Sequence, residues 1–322
     1  MKHKLSRRDW MLGATAVPAM TGCSSRQETA ASQVSIKKVS ITRTPAYDQT
    51  VYATVRSVLE MHRVDVRGRN VVLKPNLVEF EPGSSINTHP LLVHAAFEAF
   101  RALGAATVRI AEGPGHRRNT LDLADAAGYF QIVPGFEDLF TDLNLDDVTR
   151  HRPSRQFSRM EKFYLPNTAL SADLLVSMPK MKTHHWVGAT LAMKNLFGVV
   201  PSGIYGWPKN VLHWAGINEC IADLHAAFPR QFAIVDGIIG MEGNGPIQGV
   251  PKHAGVLVAG SSPVAVDTTC CRLMGIDPQQ IGYLRLASNG PENIEQIGEK
   301  IRDLAMPFAL SPGFEHLRML PA

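Results

Sequence analysis

The sequence predicts an α/β protein, a mostly parallel sheet with helices on both faces and an embellished middle region. Three observations lead there. Short apolar runs alternate along the chain with stretches of helical period. The runs Asn70-Val71-Val72-Leu73 and Leu174-Leu175-Val176-Ser177 are apolar at nearly every position, which suits strands covered on both faces. Alternation of strand and helix then favours parallel pairing through crossovers. With 322 residues, 45% hydrophobic and 19% charged, the chain can bury a large core and is neither disordered, collagenous nor coiled-coil.

Strands are expected at 34–41, 70–77, 107–112, 173–179, 231–237 and 254–259, each an aliphatic or β-branched run. Pro or Gly adjoins several of their ends, at Pro75, Gly113, Pro114, Pro179 and Gly237, where the chain must turn sharply. Helices are expected at 49–61, 91–103, 121–127, 210–228, 264–273 and 279–287, where apolar residues recur at helical spacing. Residues 140–163 are polar, with Arg150, Arg152, Arg155 and Arg159 among few aliphatics, and read as a surface excursion or a small subdomain joint. Residues 198–208 are irregular and rich in Gly, Pro and aromatics. No internal repeat interrupts the pattern. One domain is expected over 34–322.

The amino terminus reads as an address. Ser6-Arg7-Arg8-Asp9-Trp10-Met11-Leu12, ahead of a short apolar stretch, resembles a twin-arginine export signal. That stretch, 10–20, contains Pro18 and is far too short to cross a bilayer. Met20-Thr21-Gly22-Cys23 then resembles a bacterial lipoprotein cleavage box, with Cys23 as the acylated residue. The expectation is a signal peptide over 1–22, a small polar tether over 23–33, and export to the periplasm or cell envelope by the twin-arginine machinery. A lipid on Cys23 would hold the protein at the membrane. That export route carries proteins that fold first, often around a cofactor, and it names none.

Charge and cysteine content remove other classes. The formal charge is +4, and losing Lys2, Lys4, Arg7, Arg8 and Asp9 with the leader leaves +1. A nearly neutral chain makes no electrostatic case for nucleic acid. Beyond Cys23 only Cys220, Cys270 and Cys271 remain, and none forms a Cys-x-x-Cys pair. A zinc ribbon or a cysteine-ligated iron–sulfur cluster would lack its ligands. Cys270 and Cys271 are adjacent in an expected helix, where their side chains diverge by about 100°. They read as small buried apolar residues.

Parallel α/β sheets bind ligands at the carboxyl ends of their strands, so polar residues just after each apolar run are informative. One end carries Lys74 and Asn76, the next Glu112, a third Lys180, Lys182, His184 and His185, and a fourth Asp236. A single lysine after a strand is ordinarily a solvated loop residue. Four such ends predict one cleft on which Lys74, Asn76, Glu112, Lys180, Lys182 and Asp236 converge. Lys194 and Asn195 interrupt the apolar stretch 186–198 and are expected to be buried with partners, with an altered lysine pKa. The glycine-rich run 240–249 lacks the Gly-x-Gly-x-x-Gly order of a dinucleotide site. Its amides, around Gly243 and Gly245, can still cradle an anion, with a plain flexible loop as the rival reading.

His184 and His185 could ligate a metal with Glu112 or Asp236, but neighbours on an extended segment point oppositely, so no metal is assigned. Walker, Gly-x-Ser-x-Gly and His-Glu-x-x-His patterns are absent from the sequence.

These motifs together resemble one family. Lys74-Pro75-Asn76, the run from Pro179 to His184, Met193-Lys194-Asn195 with Gly198, Asp236-Gly237, Gly243-x-Gly245-Pro246 and Val264-Ala265-Val266-Asp267 are similar to motifs of the domain of unknown function 362 family. The resemblance runs from about 34 to 277. Many members carry ferredoxin-like iron–sulfur segments, which implies a redox role for them. This chain departs from that pattern in having no cysteine cluster, and so resembles an exported, cluster-free branch.

The residues then suggest a small anionic substrate, a carboxylate, phosphate ester or sugar acid. Lys74, Asn76, Lys194, Asn195, Gly243 and Gly245 would hold it, while Lys180, Lys182, His184, Glu112 and Asp236 would move a proton in isomerisation or elimination beside a carbonyl. A tethered binding protein using the same cleft without chemistry is the alternative. A redox or cofactor-delivery partner is disfavoured by the missing cysteines.

Overall fold

Ten strands of the described residues join in one sheet, and two more form a separate hairpin. The computed structural model describes residues 36–288 and 293–319; the expected signal peptide, the tether and Cys23 lie outside them. The strands are β1 (Lys37–Arg43), β2 (Asn70–Pro75), β3 (Thr107–Glu112), β4 (Phe140–Asp142), β5 (Val148–His151), β6 (Phe163–Pro166), β7 (Leu174–Met178), β8 (Lys180–His184), β9 (Gly188–Thr190), β10 (Gln231–Asn244), β11 (Gln248–Gly260) and β12 (Ile294–Gly298). Their order is β12-β1-β11-β10-β7-β2-β3-β4, with β8 beside β10 and β9 beside β8. Pairing is parallel between β4, β3, β2, β7 and β10 in turn, between β10 and β8, and between β1 and β12. Only β1–β11, β10–β11 and β8–β9 are antiparallel within it. The sheet is mostly parallel.

Continuous apolar strands divide their side chains between two cores, as a sheet covered on both faces requires. Val71, Leu73 and Val176 enter the core under helices Val51–Met61, Pro90–Ala102 and Thr120–Ala126. Val72 and Leu175 enter the opposite core, under helices Ile217–Ala227, Pro263–Leu273 and Gly282–Ala287. Cys220, Cys270 and Cys271 are free thiols buried in that second core. Side chains start several helices: Asn119 accepts from the Leu121 and Asp122 amides, and Ser262 from the Ala265 amide.

Three expected elements differ. The helix expected over 210–228 is broken into Asn210–Trp214 and Ile217–Ala227, because Gly216 stands at φ 109° between them. The glycine-rich run 240–249 is not a loop after a short strand. It is the tip of the long β10–β11 hairpin, with Gly243 opposite Gly249 and Asn244 opposite Gln248. The strand expected over 173–179 breaks at Pro179, and the chain resumes as β8 beside β10. This second strand carries the expected strand-end residues Lys180, Lys182 and His184 inward, all buried.

Candidate active site

The floor of the main cavity is a buried ion pair. Lys74, at the end of β2, meets Glu112, at the end of the adjacent parallel β3. The Lys74 ammonium also donates to the Pro75 carbonyl at 3.0 Å and to Asn195 Oδ1 at 3.2 Å, which uses all three of its hydrogens. Glu112 accepts from the Gly113 amide at 2.9 Å and the Leu77 amide at 3.3 Å. Asn195 returns Nδ2–H bonds to the Lys74 carbonyl and Ser177 Oγ. Gly198 closes over the pair, where a Cβ would collide with both side chains.

Lys194 and Asn195 sit on the short helix Ala192–Asn195. Its first amides, Ala192 and Met193, donate to the buried Asp267 carboxylate at 2.7 and 3.0 Å. Asp267 lies inside the Pro263–Leu273 helix. Burial drives its pKa up, to about 8, against the two amides that lower it. Asp267 is thus a positioning residue for the helix that presents Lys194.

Above this floor lies a cavity of about 360 Å³, within the range of small-molecule sites. Asn76, Glu112, Lys182, His184, Lys194 and Asn195 line it, joined by His185, Trp186, Lys209 and His213. The three lysines differ in their bonding. Lys182 donates to the Ile86 and Pro246 carbonyls at 2.8 and 3.2 Å. Lys209 donates to the Gly113 and Phe197 carbonyls, each at 2.6 Å. Lys194 lies 3.9 Å from the centre of the Phe197 ring, and its ammonium has no hydrogen-bond acceptor among the described residues.

Electrostatics follow from this crowding. Burial, then the Lys74 charge, pull Lys194 down to about 7 against the attraction of Glu112. Burial also pulls Lys209 to about 7 and holds Lys182 well below the ordinary lysine value. His184 is pushed well below the usual histidine value by burial and by Lys194, and His213 to about 4 by the same causes. His184 Nδ1 accepts from the Trp186 amide at 3.0 Å, so the neutral ring carries its proton on Nε2.

The expectation that His184 and His185 point apart is overturned: β8 ends at His184, and the turn stacks the two rings 5.1 Å apart on one cavity wall. Two buried polar atoms on the wall, Asn76 Oδ1 and Thr190 Oγ1, have no partner among the described residues. Such orphans in a cavity mark where a water or ligand belongs.

Four expected site residues stand elsewhere. Lys180 lines a second hollow of about 290 Å³, beyond the 76–89 loop that runs between the two cavities, and Asp236 is buried behind it. There the Lys180 ammonium donates to Asp236 at 2.7 Å and to the Tyr47 hydroxyl at 2.9 Å, and Tyr47 donates to Asp236 at 2.7 Å. Asp236 also accepts from the His89 and Ile238 amides. Gly243 and Gly245 do not reach the main cavity. Their amides are spent on the Ala309 and Gly243 carbonyls, and Gly245 packs against the Thr183 backbone too closely for any side chain. No group of three His, Cys, Asp or Glu among the described residues is arranged to hold a metal ion. Glu112 is committed to Lys74, and Asp236 to Lys180.

Lys209, Trp186 and His213 carried no strand-end signal. Lys209 did carry one legible mark, as the single cation in a stretch, 199–218, that contains no carboxylate. Its backbone is in the left-handed region at φ 69°, unusual for a non-glycine residue and frequent at functional sites.

The family model described as "Domain of unknown function (DUF362)" matches residues 71–272. The chain belongs to this family. The matched segment contains Lys74, Glu112, Lys182, Lys194, Lys209 and Asp267, so the cavity is built almost wholly from family sequence. A thylakoid-associated protein of Synechocystis is 27% identical over 260 residues, covering 76% of this chain and 77% of its own. Among solved structures, the lactate racemase apoprotein of Thermoanaerobacterium thermosaccharolyticum aligns with a TM-score of 0.46 at 14% identity. The alignment covers 74% of this chain and 57% of that one. A Thermotoga maritima protein aligns at 0.45 and 12% identity, over 71% and 59% of the two chains.

Proposed function

We propose that the main cavity binds a small organic anion and moves a proton next to its carbonyl group. The observation that carries this reading is the charge imbalance on the wall. Three lysines, Lys182, Lys194 and Lys209, share the cavity with one carboxylate, Glu112, which is already paired with Lys74. A ligand carboxylate or phosphate relieves that repulsion, the orphaned Thr190 hydroxyl can donate to it, and the orphaned Asn76 Oδ1 can accept from a hydroxyl of the ligand.

Lys194 is suited to act as the base. A lysine with a pKa near 7 is neutral in about half the molecules at neutral pH, and its amine has no competing acceptor. A bound anion favours the charged form of Lys194, so the reacting complexes are the minority in which it stays neutral: there its lone pair would take the proton from the carbon beside the carbonyl, and the C–H electrons would pass into an enolate. The Lys182 ammonium and His184 Nε2–H would stabilise the enolate oxygen. Returning the proton to the neighbouring atom completes an isomerisation without any other reactant.

Binding without turnover is the second reading. It is favoured by Lys182 and Lys209, each already holding two backbone carbonyls. Solvent exchange separates the two: panels of 2-hydroxy and 2-keto carboxylates are incubated with the protein in D2O and followed by proton NMR. Exchange of the α-hydrogen, lost in Lys194→Met, supports the enzyme. Ligand binding without exchange supports the receptor.

We also propose export by the twin-arginine route and a lipid at Cys23. Arg7→Lys with Arg8→Lys should trap the precursor in the cell, and Cys23→Ala should release soluble protein. Normal export of the double variant in cells lacking the twin-arginine machinery would contradict the route.

A further inference from the structure

We propose that the outer face built by helices Ser202–Tyr205 and Asn210–Trp214, together with Trp186, docks onto an anionic lipid bilayer. Large apolar side chains gather there in the open: Trp214 is 75% exposed, Trp186 52%, Ile204 45% and Val211 37%. Val211 and Trp214 are three residues apart on one helix and share a side. The helix bearing Ile204 packs on theirs, and the Trp186 ring lies 4.6 Å from His213 on the same helix. Scattered exposed hydrophobics need no explanation, but a cluster holding two tryptophans does.

Charge identifies the partner. From 199 to 218 the chain has no carboxylate. The Arg159 amide donates to the Ala215 carbonyl at 3.1 Å, which places Arg159, within the stretch 150–162, at the end of the Trp214 helix. That stretch carries Arg150, Arg152, Arg155, Arg159 and Lys162, all exposed, against Glu161 alone. Tryptophan beside clustered cations is the composition that lies at a membrane interface, with rings at headgroup level and cations among anionic phosphates. A second copy of the chain would set two such basic stretches against each other, which disfavours self-pairing.

The surface has a consequence for the cavity. Trp186, Pro208, Lys209 and His213 line its wall, so docking by this face turns the cavity mouth toward the headgroup layer. The docking surface does not depend on the cavity's chemistry, nor on a lipid at Cys23.

The test uses the full chain with Cys23→Ala, which accepts no lipid at that position, sedimented with phosphatidylcholine vesicles with and without phosphatidylglycerol. The protein should pellet with the anionic vesicles only and be released as salt rises. Trp214→Ala should lower the partition coefficient about tenfold and Arg159→Ala about fivefold, both without changing thermal unfolding. Failure to pellet with anionic vesicles overturns the proposal. So does binding that survives both substitutions, which would belong to the amino terminus. Concentration-dependent self-association abolished by Trp214→Ala would make the face a dimer contact and overturn it equally.

Discussion

The two hollows flanking the 76–89 loop begin from the same local chemistry and end differently. In each, a lysine on one parallel strand is buried against a carboxylate on its neighbour: Lys74 with Glu112, and Lys180 with Asp236. Around Lys180 the account closes. Tyr47 bridges the pair, backbone amides satisfy the remaining Asp236 lone pairs, and Glu79 and Glu81 line the hollow. Around Lys74 it does not close, because Lys182, Lys194 and Lys209 add cations without adding a carboxylate. A buried ion pair alone therefore says little about function. The uncompensated charge beside it says more.

Removing a carboxylate should have the largest effect. Asp236→Ala strips acceptors from Lys180, Tyr47 and two amides and should cost about 3–5 kcal/mol in denaturant unfolding, with Glu112→Ala comparable. The sharper form is the double variant Lys180→Met with Asp236→Asn, which should regain most of that loss and still bind small anions. A double variant that folds but no longer binds would return Lys180 to the main site.

Lys194→Met should act in the opposite sense, ending anion binding while the protein stays folded. It also reports on pH. The unfolded lysine keeps its proton to near its ordinary 10.5, while the folded one releases it near 7. Across that window the folded state holds fewer protons, so stability should climb as pH rises above about 7. Lys209 contributes in the same direction. Lys194→Met should flatten this climb in thermal melts taken from neutral to alkaline pH, and an unchanged slope would show that Lys194 titrates normally. The smallest effect is expected at Tyr47→Phe. It removes one bridging hydroxyl and should cost about 1–2 kcal/mol with anion binding intact.

The sheet was legible because parallel strands covered on both faces leave a simple mark, continuous aliphatic runs such as 70–73 and 174–177. Chain breaks were less so. Pro179 permits β8 to resume beside β10, and nothing in the local sequence distinguishes that from a loop exit. Lys194 and Asn195 were legible because polar groups inside an apolar run demand partners, and Lys74 and Glu112 because they follow apolar runs at strand ends. Lys180 and Asp236 carried the same signal and were misplaced, since strand-end position does not say which side of a crossing loop a side chain meets. Gly243 and Gly245 misled for another reason: a long twisted hairpin needs glycine at its tip as much as an anion cradle does. Trp186 and His213 reach the cavity only through tertiary packing, which leaves no periodic trace.

If uncompensated lysine charge, and Lys194 in particular, recruits an anion, a simple inorganic anion should report it. Isothermal titration of orthophosphate near neutral pH, repeated in buffers of different ionisation enthalpy, measures both affinity and proton exchange. An anion beside Lys194 raises its pKa, so binding should be accompanied by proton uptake. The affinity and the uptake should both be lost in Lys194→Met and kept in Tyr47→Phe. Absence of binding, or binding whose affinity and proton uptake are unchanged by Lys194→Met, would contradict the account.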